Sequence, residues 1–140
     1  MIIKTVIDAN VLASALSSHS TCHWLFGLLL EEEIELYITD EILLEYEENV
    51  RSKYAGTAAA NFLIALKELP NVHYVRVSFR WNLIKDPDDN KFVDCYIAAG
   101  ADYLITHDAH FSILRSINFP KVNIVRIEAF KAALEDPEWN

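Results

Sequence analysis

Glycine and proline are scarce in this chain, 3 and 4 of 140 residues. No Pro/Gly linker, low-complexity tract or internal repeat divides it, so one domain over 1–140 is expected, with a tail from about 135–140 free to fray. Cysteine is scarcer still. Cys22 and Cys95 form neither a CxxC pair nor a disulfide framework, and reduced, half-buried thiols are expected for both. Long apolar runs are missing as well. Hydrophobic residues make up 52% of the chain, but their runs are short and broken by charge, which excludes a membrane span. The opening "MIIKTVID" enters a strand pattern directly and lacks the apolar region of a secretory leader, so the cytoplasm is the expected compartment.

Basic charge is in deficit: 12 Lys and Arg stand against 21 Asp and Glu, a net charge of −9. That argues against a broad cationic surface for nucleic acid. It suits solubility or a basic partner, and a nucleic-acid substrate would need a metal and a few local cations to offset repulsion.

What is present is a repeated alternation of strand and helix periods. Ile2 to Ile7 is a near-continuous apolar strand of the kind buried on both faces of a parallel sheet. Val11 to Leu16 and Thr21 to Leu30 read as helices, and Ile34 to Ile38 as strand two. Thr39 or Asp40 can cap a helix running to about Lys53, with Ile42, Leu43, Tyr46 and Val50 on one face. A helix over Thr57 to Leu69 stops at Pro70, and Val72 to Val77 reads as strand three. The turn-rich "KDPDDN" leads into a helix from about Asn90 to Ala99, with Asp88 or Asp89 as its cap. Tyr103 to Thr106 and Val122 to Ile127 are strands four and five, and "EAFKAALEDPEWN" begins as a helix. Such alternation predicts a three-layer α/β/α sandwich, with ligands beyond the carboxyl ends of the strands.

Four carboxylates occupy positions that such a fold could gather: Asp8, Glu45, Asp94 and Asp108. Asp8 and Asp108 each follow a buried-type strand, "TVI" and "YLIT", which a structural core does not require. Asp8 or Asn10 could instead simply cap the following helix. Glu45 and Glu47 flank the apolar stripe of their helix on opposite sides, so periodicity leaves both open. Asp94 lies on the narrow polar strip of an otherwise apolar helix and needs a partner, for which Lys91 three residues earlier is the structural candidate. Asp89 can cap or bind metal. Like charges held close repel unless a proton or cation intervenes, so convergence predicts a divalent ion. His107 and His110 flank Asp108, but an oxygen-rich cluster suits Mg²⁺ or Mn²⁺ better than zinc.

With "VIDANVL", "TDEILLEYEE" and "DPDDNKFVDCYIAAGADYLITHD" followed by "HF", the chain resembles the PIN-domain (PilT N-terminus) ribonucleases over nearly its whole length. The resemblance implies a central parallel five-stranded sheet and an acidic active site of Asp8, Glu45, Asp94 and Asp108, resolving the Glu45/Glu47 tie. Asn10, Thr106 and Asp89 match accompanying polar positions. His107 stands where members often carry Gly or Asn, which bears on substrate placement, as does Lys91. The implied activity is Mg²⁺- or Mn²⁺-dependent cleavage of single-stranded RNA, with Asp8 and Asp94 as primary ligands completed by Glu45 and Asp108. Many members are toxins of toxin–antitoxin pairs, which implies an antitoxin protein able to insert an arginine among the carboxylates.

Two other readings remain. A haloacid-dehalogenase-like phosphatase would use Asp8 as nucleophile, although Asn10 and His107 fill the places where such enzymes want an aspartate and a lysine. The domain could also be a non-catalytic partner-binding module. A homodimer face could draw on Trp24, Phe26 and Trp81, against the ordinary use of such residues in a core.

Overall fold

A computed structural model describes residues 2–136. It forms one five-stranded, all-parallel sheet in the order β3-β2-β1-β4-β5, flanked by helices on both faces. β1 (Ile3–Ile7) lies at the centre, paired with β2 (Ile34–Ile38) and β4 (Tyr103–Ile105). β3 (Val72–Tyr74) and β5 (Ile124–Val125) close the two edges. Central strands covered on both faces need apolar residues throughout, and Val6, Ile7, Leu36, Ile38, Leu104 and Ile105 have no exposed surface. The β2 and β4 crossovers leave β1 in opposite directions across the sheet. The β1/β4 boundary is therefore the switch point where an open α/β sheet leaves a crevice at its carboxyl edge.

The helices are α1 (Ala9–Ala15), α2 (His23–Leu30), α3 (Asp40–Lys53), α4 (Gly56–Glu68), α5 (Pro87–Ala99) and α6 (Ile127–Leu134). Thr39 caps α3, its hydroxyl accepting from the Ile42 amide at 3.2 Å. α5 begins earlier than its apolar period suggests. Asp86, rather than Asp88 or Asp89, is its cap, accepting from the Asp88 amide at 2.9 Å, with Pro87 in the first turn where a missing N–H costs nothing. That leaves Asp89 free of capping duty. At the other end Gly100 adopts φ 65°, a left-handed conformation that lets α5 turn directly into β4.

β3 and β5 are shorter than their apolar runs, because each is an edge strand whose continuation leaves the ladder. Residues 109–116 form a 3₁₀ helix that the sequence reading did not anticipate. Side chains three apart eclipse in that geometry. Phe111 and Leu114, both fully buried, use the spacing to reach the core, where Phe111 meets Phe92 of α5 edge-on at 6.4 Å. Trp24 stacks on Phe130 and Phe26 tilts against Phe62, so both pack on the core. Cys22 and Cys95 are free and buried, and burial pushes the Cys95 thiol up to about 12, an unreactive state. The expected fraying of the tail falls mostly on residues 137–140, outside the described residues. Among those described, no helix is long and apolar enough to cross a membrane.

Candidate metal centre

The parallel register between β1 and β4 sets the first contact. Ile7 pairs with Ile105, so the next residues, Asp8 and Thr106, leave the sheet side by side. The Asp8 amide donates to the Ile105 carbonyl at 2.9 Å, and the Thr106 hydroxyl donates to Asp8 Oδ2 at 2.8 Å. Asp8 stands at the N-cap position of α1, where the Asn10 amide acts on its carboxylate more weakly than the Thr106 hydroxyl does. Its carboxylate is 6% exposed and aimed at Thr106. The same hydroxyl oxygen accepts from the Asp108 amide at 3.0 Å, which ties the two strand ends into one unit.

Glu45 arrives from α3. The neighbouring Tyr46 is fully buried and its hydroxyl donates to the Ile7 carbonyl at 2.5 Å, fixing the helix against the end of β1. A buried bond of this kind stabilises by about 1 kcal/mol, and losing it would strand a carbonyl. Glu45 thereby faces the carboxyl edge, where its charge acts on Asp8 and its carboxylate pairs with Lys91 Nζ at 2.5 Å. Glu47 turns away and pairs with Arg51 at 2.6 Å.

Asp89 sits in the first turn of α5. Asp89, Asp108 and His110 each offer a ligand atom within 4.8 Å of the others. His110 Nδ1 lies 3.3 Å from Asp108 Oδ1 and 3.7 Å from Asp89 Oδ2. Asp108 also caps the 3₁₀ helix, accepting from the His110 amide at 2.9 Å, and this turn swings the imidazole back over the carboxylates.

Asp94 does not join this group. Its Oδ1 accepts from the Trp81 amide at 3.0 Å, and the charges acting on it are Arg80 and Glu41. The reason is helical geometry: five residues on an α-helix turn through about 140°, so Asp89 and Asp94 face different sides of α5. Lys91 is not its partner either, being engaged by Glu45. The strip that looked polar in projection is polar because the loop before α5 folds over it.

The electrostatics follow from this geometry. Burial raises the Asp8 carboxyl above its ordinary range; the Thr106 hydroxyl opposes this, and the Glu45 and Asp108 charges add to it. Burial pushes Asp89 up to about 6, helped by the Asp86, Asp108 and Asp8 charges and opposed by His110. Burial also raises Asp94, against the Trp81 amide and Arg80. Asp89 Oδ2 is buried with no hydrogen-bond partner. A bare carboxylate oxygen facing further carboxylates is the environment a hard divalent cation relieves. The donor set therefore fits a metal, with His110 adding one nitrogen to the oxygens.

Two grooves adjoin the cluster. Asp8, Asn10, His107 and Asp108 line one of about 550 Å³. Arg76, Arg80, Asn90, Lys91 and Asp94 line another of about 410 Å³, joined to the carboxylates through the Lys91–Glu45 pair. Asn10 accepts from Asn49 at 3.4 Å, and His107 is exposed, its carbonyl 3.5 Å from an Arg126 nitrogen. His110 and the full weight of Asp89 were underestimated in the sequence. The signal for both was the i, i+2 relation of Asp108 to His110 and the Asp86-Pro87 start, which moves the cap away from Asp89.

Comparisons with solved structures and families bear on the fold. A chain of the VapBC2 complex of Rickettsia felis, solved bound to a DNA fragment from its promoter, superposes with a TM-score of 0.62 at 14% identity, covering 89% of this chain and 98% of that one. The PIN domain of T. brucei RRP44 gives 0.54 at 13% identity over 96% and 82%. The PIN domain endonuclease Utp24 gives 0.53 at 15% identity over 88% and 84%. A comparison with curated proteins gives no match. The family model described as PIN domain matches residues 4–110, which takes in every carboxylate of the cluster. The chain belongs to the PIN domain family, a nuclease fold.

Proposed function

We propose that this protein is a divalent-metal-dependent endoribonuclease acting on single-stranded RNA, with Asp8, Glu45, Asp89 and Asp108 as its acidic centre. The observation that carries the reading is the buried Asp89 oxygen that has no hydrogen-bond partner, set among Asp8, Asp108 and His110. Mg²⁺ or Mn²⁺ held by Asp8, Asp89 and Asp108, when bound, would supply an acidified water nucleophile and charge neutralisation at the scissile phosphate. The chain's own groups set the stage for that chemistry. Thr106 holds Asp8 in one rotamer and Asp108 against it. Lys91 offsets the Glu45 charge, which lowers the repulsion a phosphate would meet at the cluster. His110, 71% exposed at the side chain, can add its nitrogen to the oxygen set of the cluster. Placing Asp94 among the ligands is not supported by its contacts with Trp81 and Arg80.

A toxin of a toxin–antitoxin pair is the biological setting that the likeness to the VapBC2 complex supports, with an antitoxin as partner. The phosphatase alternative gains nothing, since Asp8 has Asn10 and not a second acid two residues on.

The test is incubation with a fluorescent single-stranded RNA under Mn²⁺, Mg²⁺ or EDTA. Endonucleolytic fragments are expected with either ion, none with EDTA, and a loss of about a hundredfold or more in Asp8→Asn. Cleavage that persists in EDTA, or that Asp8→Asn leaves intact, would refute the reading.

A further inference from the structure

Half of the chain's 12 basic residues fall in two segments that carry no carboxylate side chain. Residues 69–85 hold Arg76, Arg80 and Lys85, and residues 109–127 hold Arg115, Lys121 and Arg126. In a chain of net charge −9 such segments are local exceptions to the overall repulsion. The two meet in space through aromatic rings. Phe79 packs edge-on to Trp81 at 4.8 Å, and Trp81 meets Phe119 of the second segment at 6.3 Å.

These rings do not serve the core. Phe79 is 62% exposed and Phe119 is 83% exposed, a large apolar surface left open to water beside a groove whose lining sets Arg76, Arg80 and Lys91 against Asp40, Glu41 and Asp94. Arg76 lines that groove and has no hydrogen-bond or ion-pair partner among the described residues. Arg80 has one ion pair, with Glu41 at 3.6 Å, in which both side chains are mostly exposed. Such a pair holds its members weakly, so the guanidinium can turn to another anion. The whole arm is pinned by Asp94, whose carboxylate accepts the Trp81 amide. Asp94 lies five residues along α5 from Asp89, about 8 Å of axial rise. Exposed rings with an unpaired Arg76 and a weakly held Arg80 next to an acidic centre are the elements from which non-specific single-strand binding is built: bases stack on the rings and cations follow the backbone.

We infer that Phe79, Trp81 and Phe119, with Arg76 and Arg80, form a stacking platform that binds single-stranded RNA beside the carboxylates and feeds it across the N-terminus of α5. Asp94 is its positioning residue. The inference rests on the ribonuclease reading and assigns the substrate a path on the protein. It also explains how so acidic a chain holds a polyanion: the contact is local and aromatic, with few phosphates engaged.

The experiment is fluorescence anisotropy with labelled oligo(U) of twenty nucleotides, in EDTA so that metal-dependent cleavage is silent. The exposed double variant Phe79→Ala/Phe119→Ala is expected to weaken binding about 10- to 100-fold. Arg76→Ala should lower affinity and reduce the salt slope by about 0.7. Lys67→Ala, an exposed lysine at the far end of α4, should change neither. An unaltered oligo(U) affinity in the double variant would overturn the platform and leave this face to a protein partner. Hydrolysis of bis(p-nitrophenyl) phosphate by the unaltered protein with Mn²⁺ reports the carboxylate centre separately, so failure of one reading is distinguishable from failure of the other.

Discussion

Replacing Asp89 by Asn is expected to cut metal-dependent RNA cleavage by about a hundredfold or more and to remove the rise in melting temperature expected of the unaltered protein in Mn²⁺. The same change should make the metal-free protein more stable. Asp89 is held ionised at neutral pH against burial and the charges of Asp86, Asp108 and Asp8, which push its carboxyl up to about 6. An amide of the same shape removes that repulsion. After allowance for solvent screening the gain is about 1 to 2 kcal/mol, or some 3 to 6 °C in a domain of this size. Asp94→Asn forms the contrast. Its partner is the Trp81 amide, so the melting-temperature response to Mn²⁺ should survive in this variant. Thermal denaturation with and without Mn²⁺ decides between the two. Loss of the Mn²⁺ response in Asp94→Asn with its retention in Asp89→Asn would put the metal on the other side of α5.

Acidification should stabilise the metal-free protein across the window in which these carboxyls titrate. Asp89 has a folded value of about 6 against an ordinary 3.8, so between those limits the folded state binds more protons than the unfolded one. Stability then falls as pH rises from about 4 to about 6, and the raised Asp8 carboxyl acts in the same direction. A bound cation reverses the slope of this contribution, because it selects the ionised carboxylates and must displace their protons. Melting curves of the unaltered protein and of Asp89→Asn, each in EDTA and in Mn²⁺ from pH 4 to 8, isolate this group from the other acids. The difference between the two proteins in EDTA should widen up to about pH 6 and then level off. A difference that stays flat across the window would mean that Asp89 carries no such strain.

The architecture was largely legible because its signals are local. A near-continuous apolar run at Ile2 to Ile7 marks a strand covered on both faces, Ile34 to Ile38 reads as the next strand, and helical periods between strands force parallel crossovers. The edges were less clear. Apolar residues continue past Tyr74 and begin before Ile124, but pairing ends where no neighbouring strand remains. The 3₁₀ helix has no local signature, because Phe111 and Leu114 alone do not distinguish it from a loop.

The centre was legible in part. Asp8 and Asp108 stood out because each follows a buried strand, and the β1/β4 register brings them together. Glu45 could not be separated from Glu47 by periodicity; what separates them is the buried Tyr46 hydroxyl on the Ile7 carbonyl and the Lys91 pair. Asp94 misled for a physical reason. A carboxylate on an apolar helix does need a partner, and it has one in Trp81, thirteen residues earlier in a loop whose path no helical projection contains. Asp89 was obscured by its place in "DPDDN", where any of three aspartates can cap. Only the observed Asp86 cap releases it to face Asp108.

The most direct test is a crystal soaked in MnCl₂ and measured at the manganese absorption edge. Anomalous peaks are expected between Asp8, Asp89 and Asp108, within direct ligand distance of the Asp89 oxygen that otherwise lacks a hydrogen-bond partner. Manganese bound instead against Asp94 and Glu41, with none among those three aspartates, would contradict the assignment of the catalytic centre.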